Sequence, residues 1–196
     1  MEWLTGYDMS QYDILANQRD VTSAPALADV QQAVRNWLRN EAGFAQVFTI
    51  NKYGYPVGRT MGAPVDDDFT LHLVQRKVHK RIGQWRRNPR TEIVWTGTPA
   101  AGSRNDSPHV FDFNLLVPRV VIIRGDAEFM DDAQLLAAFE RQTAVHRAKG
   151  WTKAPVRTRD NVLAELIGVR VRALQVRAEG FGQGATSFTW RPGGKL

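Results

Sequence analysis

Hydrophobic residues near the start of the chain repeat with the period of a helix. Five side chains fall on one stripe: Val30, Ala33, Val34, Trp37 and Leu38. Their spacing predicts an amphipathic helix from Leu27 to Ala42, with Gly43 as the residue that ends it. The preceding residues show no sustained period. We therefore predict an N-terminal arm over residues 1–26 and one domain over residues 27–196.

After this helix the hydrophobic period changes to that of strands. Short runs rich in β-branched and aromatic residues alternate with turn-forming residues. The predicted strands are Ala45–Ile50, Pro56–Val65, Phe69–Val74, Ile93–Thr96, Arg119–Phe129, Gly168–Glu179 and Thr186–Trp190. The short turns between the first three predict a meander.

Two further helices interrupt the strands. Val78, Ile82 and Trp85 recur at intervals of four and three residues, which predicts a short helix that packs all three inward and ends before Pro89. A longer helix is predicted from Asp131 or Asp132 to Arg147. Many strands, short turns and few helices predict a mainly β (α+β) fold. We expect a small closed barrel of six or more mostly antiparallel strands with flanking helices.

The composition excludes several classes of protein. Cysteine is absent, which rules out disulfides and thiol catalysis and fits a cytoplasmic protein. No apolar run reaches the roughly 18 residues of a membrane span. The first residues lack the basic and apolar pattern of a secretory signal. We therefore expect a cytoplasmic protein that does not enter the membrane.

The charge points to an anionic partner. Formal net charge is +6, and residues 76–90 contain seven Lys and Arg residues without an acid. A nucleic-acid surface is one interpretation of this basic segment. It is weakened because Trp85, the aromatic residue available for base stacking, falls on the apolar face with Ile82.

A phosphate site is the sharper interpretation. Arg59 lies within a predicted strand, and Lys80 and Arg81 lie where the short helix begins. Arginine offers a two-pronged donor, lysine a point charge and the helix N-terminus a partial positive charge, so these groups can converge on one phosphate. The alternative is that Lys80 and Arg81 belong to a solvated face.

Other chemistry has weaker support. The four histidines lie on separate elements without paired ligand spacing, so no metal site is predicted. Asp66–Asp68 is interpreted as a solvated turn rather than a cation site, and no Ser–His–acid arrangement is recognisable. Gly180–Gly184 does not open a helix, as a dinucleotide-binding loop would. Trp37, Trp85 and Trp95 are assigned to the core.

The order of these motifs resembles the pyridoxamine 5′-phosphate oxidase-like family of flavin-binding split β-barrels. The shared features are Gly54-Tyr55-Pro56, Arg59, Lys80-Arg81, Asn88-Pro89, the strand Arg124–Glu128 and the final barrel strand Gly168–Gln175. Together they cover roughly half of the chain. The resemblance implies a split barrel that binds FMN at the interface of a homodimer.

The resemblance also implies a role for particular residues. The phosphate would be held by Arg59, Lys80 and Arg81. The backbone around Thr60-Met61 and Val74-Gln75 would lie along the isoalloxazine and ribityl chain. The implied activity is that of an FMN-dependent oxidoreductase, in which hydride passes to or from a small molecule.

The chain departs from the vitamin B6 oxidases within that family. Pro64 occupies the position of a basic residue, and the tail lacks the Arg-x-His motif. Oxidation of pyridoxamine phosphate is therefore not expected. Two alternatives stay open: a deazaflavin as cofactor, and a protein that binds flavin or haem without turnover. The polar stretch Gly97–Pro108 is predicted to be a mobile loop beside the substrate.

Overall fold

Four helices and seven strands make up the described part of the chain. The computed structural model describes residues 26–98, 118–148, 150, 157–181 and 187–192. The helices are α1 (Leu27–Asn40), α2 (Lys80–Arg87), α3 (Asp132–Ala148) and α4 (Arg159–Glu165). The strands are β1 (Ala45–Ile50), β2 (Pro56–Met61), β3 (Leu71–Arg76), β4 (Arg90–Gly97), β5 (Arg119–Phe129), β6 (Leu166–Glu179) and β7 (Ser187–Trp190). Most of the predicted arm and of the loop Gly97–Pro108 lie outside these residues.

All seven strands belong to one antiparallel sheet. Their order is β2-β1-β4-β5-β6-β3, and β7 pairs with β6. The prediction of mainly antiparallel strands with flanking helices is confirmed. The described sheet is not closed, however, because β2 and β3 stand at opposite ends of the strand order. The predicted closed barrel is wrong in this respect.

The predicted meander of the first three strands is also wrong. β3 pairs along its whole length with β6, and one isolated bridge, Val65 to Leu71, joins the start of β3 to the segment that follows β2. β2 ends at Met61 rather than Val65, and Pro64 has no N–H to continue a ladder. Phe69, at a φ of 65°, closes the turn before β3. The chain thus crosses from one end of the sheet to the other within nine residues, 62 to 70.

β6 contains a bulge that was not predicted from the near-strict alternation of apolar and polar residues in its sequence. Arg124 pairs with Gln175 but Gly125 pairs with Ala173, so Leu174 is an extra residue on β6. Leu174 is 53% exposed, while Ala173 and Val176 on either side of it are both buried. The residues of β6 that face the main core are odd-numbered up to Ala173 and even-numbered from Val176. The extra residue at the bulge allows this change, so apolar side chains face the core on both sides of it.

Helix α1 covers the main core. Val30, Val34 and Trp37 are buried, as their spacing predicts. The helix ends at Asn40, two residues before the predicted end, where the amides of Glu41 and Ala42 both donate to the carbonyl of Trp37. Trp85 and Trp95 are also buried, which confirms the assignment of these tryptophans to the core.

The short basic helix differs from the prediction at one position. α2 begins at Lys80, and Val78, which precedes it, is 79% exposed. Ile82 and Trp85 are buried as predicted. Val78 was wrongly placed on the apolar face because the helical period was extended into a turn.

The last two helices form a second, smaller core. α3 begins after Asp131, whose carboxylate accepts from the amide of Gln134 at 2.8 Å. α4 was not predicted, since seven residues are too few for a clear period. Leu135 of α3, Val162 of α4 and Leu166 of β6 pack together. None of the described helices is long and apolar enough to cross a membrane.

Candidate functional site

The predicted phosphate-binding residues lie on the end strand β2 and at the start of α2. β2 pairs with β1, and Arg59 stands opposite Val47 in that register. The Arg59 side chain is exposed, and its Nη1 donates to the neighbouring carbonyl of Gly58 at 2.8 Å. This bond uses one of its five N–H groups and none of its charge, so the guanidinium can bind an anion.

Met61 connects the three elements at this point. Arg81 Nη1 lies 3.6 Å from the Met61 sulfur, and Gln75 Nε2 lies 3.7 Å from the same atom. The end of β2, the end of β3 and the first turn of α2 therefore meet at Met61. Gln75 is 7% exposed, which fixes this junction against the core.

The position of α2 is set by its other face. Ile82 and Trp85 are buried in the main core, and Thr49 of β1 donates from Oγ1 to Gln84 Oε1 at 2.6 Å. These contacts hold the helix against β1. As a consequence, its first residues, Lys80 and Arg81, are presented beside β2.

Positive charge accumulates at this junction. Burial lowers the pKa of Arg81, and the nearby charge of Arg59 lowers it further. Burial also lowers the pKa of His79, with Arg81 and Arg76 as further causes. Each of these shifts disfavours the charged form, and no acid within the described residues counters either of them. We name Arg59, Arg76, His79 and Arg81 the basic cluster.

Arg59 and Arg81 differ from the arginines that have a carboxylate partner. Eight arginines form ion pairs with Asp or Glu: Arg39, Arg119, Arg124, Arg141, Arg157, Arg170, Arg172 and Arg177. Among the described residues, no such ion pair includes Arg59, Lys80 or Arg81. Like charges held together without a counter-ion make a site that an anion stabilises.

The other predicted site residues, Thr60, Val74 and Lys80, do not all lie at this junction. Thr60 accepts a hydrogen bond from Gln46 Nε2 at 2.6 Å, so its hydroxyl is already engaged. The Val74 side chain packs against the second core, on the opposite face of β3 from Gln75. Lys80 is exposed, and no contact joins it to Arg59 or Arg81 within the described ranges. The structure thus brings together Arg59, Met61, Gln75 and Arg81.

His79 belongs to this site, although the sequence pattern did not single it out. His79 is the N-cap residue of α2, but its side chain makes no cap hydrogen bond. Its Nδ1 is buried without a hydrogen-bond partner in the described structure. A buried polar atom of this kind requires an explanation, and a ligand is one. The signal was present in the triplet His79-Lys80-Arg81.

The acidic turn shows how the remaining charges are distributed. Asp66 lies near Arg141, Asp67 pairs with Arg39, and Asp68 accepts from the amide and hydroxyl of Thr70. The three carboxylates therefore have separate partners. Across the residues that the structure describes, no group of three or more His, Asp or Glu side chains is placed to hold a metal ion.

Comparison with known proteins gives relatives by structure alone. No family profile and no curated protein matches the sequence. A protein from Clostridium acetobutylicum related to general stress protein 26 of B. subtilis, of the pyridoxinephosphate oxidase family, is 13% identical with a TM-score of 0.53, over 84% of this chain and 94% of its own. General Stress Protein 26 from Bacillus anthracis is 10% identical with a TM-score of 0.53, over 83% and 98%.

A third similar structure comes from a different functional class. The heme binding protein from Mycobacterium smegmatis is 16% identical with a TM-score of 0.56, over 83% of this chain and 58% of its own. Identities this low show a common fold and nothing about ligand or reaction. The chain therefore has the split-barrel-like fold that proteins of the pyridoxinephosphate oxidase family share with a haem-binding protein.

Proposed function

We propose that this protein is an FMN-dependent oxidoreductase whose phosphate site is formed by Arg59, Lys80 and Arg81. The observation that carries the proposal is the approach of Arg81 Nη1 to within 3.6 Å of the Met61 sulfur, two residues along β2 from Arg59, with no described ion pair for either arginine. A phosphate dianion would compensate both charges, and it would accept two-pronged hydrogen bonds from each guanidinium. His79 would add a further donor at the start of α2.

The remaining residues have a supporting role in this proposal. The backbone of Thr60-Met61 and of Val74-Gln75 would lie along the isoalloxazine and ribityl chain. A bound flavin supplies hydride transfer, so the protein has to bind, orient and exclude water rather than donate a catalytic acid or base. A deazaflavin bound in the same position is the nearest alternative cofactor.

The nucleic-acid alternative has lost its main support. Trp85 is 1% exposed and its indole lies in the main core, so it is not available to stack on a base. Glu92 and Glu128 compensate several arginines on the neighbouring strands. Arg59 and Arg81, which have no described ion pair, come together beside Met61, and a pair of guanidinium groups at one point suits a small phosphorylated ligand.

The decisive experiment compares FMN with riboflavin. FMN and riboflavin share the ring and the ribityl chain and differ in the phosphate. We expect Arg81→Ala to weaken FMN binding by roughly ten- to a hundredfold, which corresponds to the ~1.5–3 kcal/mol of one charge-assisted contact. Riboflavin should bind weakly to the wild type and be little affected. Flavin fluorescence quenching measures both.

Arg86→Ala is the matched control for this measurement. Arg86 lies on the same helix, but its guanidinium lies 5.5 Å from the ring centroid of Phe129, away from the junction. We expect almost unchanged FMN binding. Equal losses in the Arg81 and Arg86 variants would show a diffuse basic surface and contradict the proposal. Parallel loss of riboflavin binding would contradict a phosphate contact.

We further propose that the protein is a homodimer. β2 carries Arg59 and pairs with one neighbour among the described strands, so a flavin bound there would have one side uncovered. A second copy related by twofold symmetry would cover it. Light scattering at micromolar concentration should give about twice 22.1 kDa. A monomer that retains FMN would contradict this proposal.

A further inference from the structure

A cleft of about 480 Å³ lies apart from the basic cluster. It is formed by the end of α1, the segment between β2 and β3, and α3. Sites for small molecules typically have roughly 300–1,000 Å³. None of Arg59, Lys80 and Arg81 lines this cleft. Its chemistry can therefore be considered separately from phosphate binding.

The walls of the cleft are mainly apolar. Trp95 and Ala63 contribute buried surface at 2% and 8% exposure. Phe44 and Val145 also line it, yet they are 63% and 45% exposed. Two large apolar side chains exposed beside a concave apolar surface favour a ligand that would remove them from water.

The polar group of most interest in the cleft is His72. Arg141 Nη2 lies 2.7 Å from His72 Nδ1, and arginine can only donate, so Nδ1 accepts and the ring proton is on Nε2. Burial lowers the pKa of His72, with Asp66 opposing the shift and Arg141 adding to it. The lowered pKa favours the neutral ring, whose Nδ1 also lies 3.4 Å from Asp66 Oδ2. Its Nε2–H has no acceptor in the described structure.

The charges that act on this histidine are two carboxylates, Asp66 and Asp68, and two guanidinium groups, Arg141 and Arg170. Arg141 Nη1 lies 3.4 Å from Asp66 Oδ2, and Arg39 pairs with Asp67. Both arginines that line the cleft thus have a carboxylate partner. An anionic ligand would meet Asp66, and a cationic one would meet Arg141. A neutral ligand avoids both the repulsion from a like charge and the loss of hydration of its own charge.

From this geometry we propose that the cleft is a binding site for a small, neutral and largely apolar molecule with a carbonyl-type oxygen. The oxygen accepts the Nε2–H of His72, and the apolar part covers Phe44 and Val145. The proposal does not rest on flavin binding, and the site stands whether or not the phosphate site is correct.

A neutral fluorescent ketone tests the proposal on the full chain. Prodan is a naphthyl ketone whose emission shifts to the blue in an apolar site. We expect saturable binding with one molecule per chain. His72→Phe, which keeps a ring but removes the donor, should weaken prodan binding about fivefold. Val145→Trp, which fills the cleft from an exposed position, should weaken it at least tenfold.

Leu174→Trp is the control, because Leu174 is 53% exposed on β6 and does not line the cleft. It should leave prodan binding unchanged, and all variants should unfold at the wild-type temperature within a few degrees. Absence of saturable prodan binding would overturn the proposal, as would equal losses in the two Trp variants. Tighter binding of the anion anilinonaphthalene sulfonate would reject a neutral ligand. Displacement of prodan by FMN would show one shared site and reject a separate one.

Discussion

Arg59 of β2 lies close enough to Arg81 of α2 that its charge lowers the pKa of the second guanidinium. The two residues are 22 positions apart in the sequence and belong to different elements. Such a pair costs free energy in the unliganded protein, because burial and like charge both disfavour Arg81 in its charged form. An anion that bridges them would reverse the sign of this interaction.

The first prediction is that inorganic phosphate stabilises the protein through this pair. At ten times its dissociation constant, a ligand that binds the folded state stabilises it by about 1.4 kcal/mol. For a chain of this size that raises Tm by roughly 3–5 °C. Arg81→Gln should abolish the increase without lowering Tm in the absence of phosphate. Thermal unfolding with and without phosphate, at constant ionic strength, measures both effects.

The second prediction is that alanine destabilises the protein at one glycine and stabilises it at another. A Cβ on Gly125 would lie 2.2 Å from the carbonyl oxygen of Arg172, which belongs to the backbone of the bulged strand. Gly125→Ala should cost at least about 2 kcal/mol of the free energy of unfolding. In Gly83→Ala, the new Cβ would lie 3.5 Å from Arg87 Nη1, an ordinary contact. This change within α2 should stabilise by about 0.5–1 kcal/mol. Urea denaturation of both variants tests the pair, and equal effects would contradict the bulge.

The third prediction tests the start of α2. Ile82 is 3% exposed, whereas Val78 is 79% exposed. Ile82→Ala should cost about 2–5 kcal/mol because it leaves a cavity in the main core. Val78→Ser should change the free energy of unfolding by less than about 0.5 kcal/mol. A large loss in the Val78 variant would instead support the register that the sequence pattern predicted.

The fourth prediction is a pH dependence of stability through Glu128. Its pKa is lowered from 4.5, first by a hydrogen bond from Arg170 and then by the charge of Arg172, against an opposing effect of burial. A carboxyl with a lowered folded-state pKa stabilises the fold above its unfolded pKa, and this stability is lost as the pH falls through the folded pKa. Both arginines are more than a third exposed, so solvent screens the interaction.

We therefore expect Glu128→Gln to lower stability by less than about 1 kcal/mol at pH 7. The difference from wild type should shrink below pH 4.5 and vanish once Glu128 is protonated in the folded protein. Glu140→Gln is the control, because it removes a carboxylate at an exposed position of α3 without breaking a described ion pair. Denaturation from pH 7 to pH 3 makes the comparison. A difference that is constant over this range would show a packing effect.

Local pattern was enough to predict many of the elements. Ala45–Ile50 and Arg119–Phe129 coincide with β1 and β5, because runs of β-branched residues bounded by turns specify a strand through nearest neighbours alone. The stripe of α1 identified the residues that it buries. The motif order from Gly54 to Pro89 indicated the fold that the solved structures share.

Pairing and proximity required the folded chain. Alternation in β3 tells which side chains face inward, but it is the same whether the neighbour is β2 or β6, so the sequence pattern could not choose the partner. The helical period likewise could not reveal that Val78 precedes α2. Arg59, Met61, Gln75 and Arg81 meet because the sheet and α2 bring distant segments together. A basic residue in a sequence gives the sign of a charge, whereas its distance from another charge depends on the whole fold.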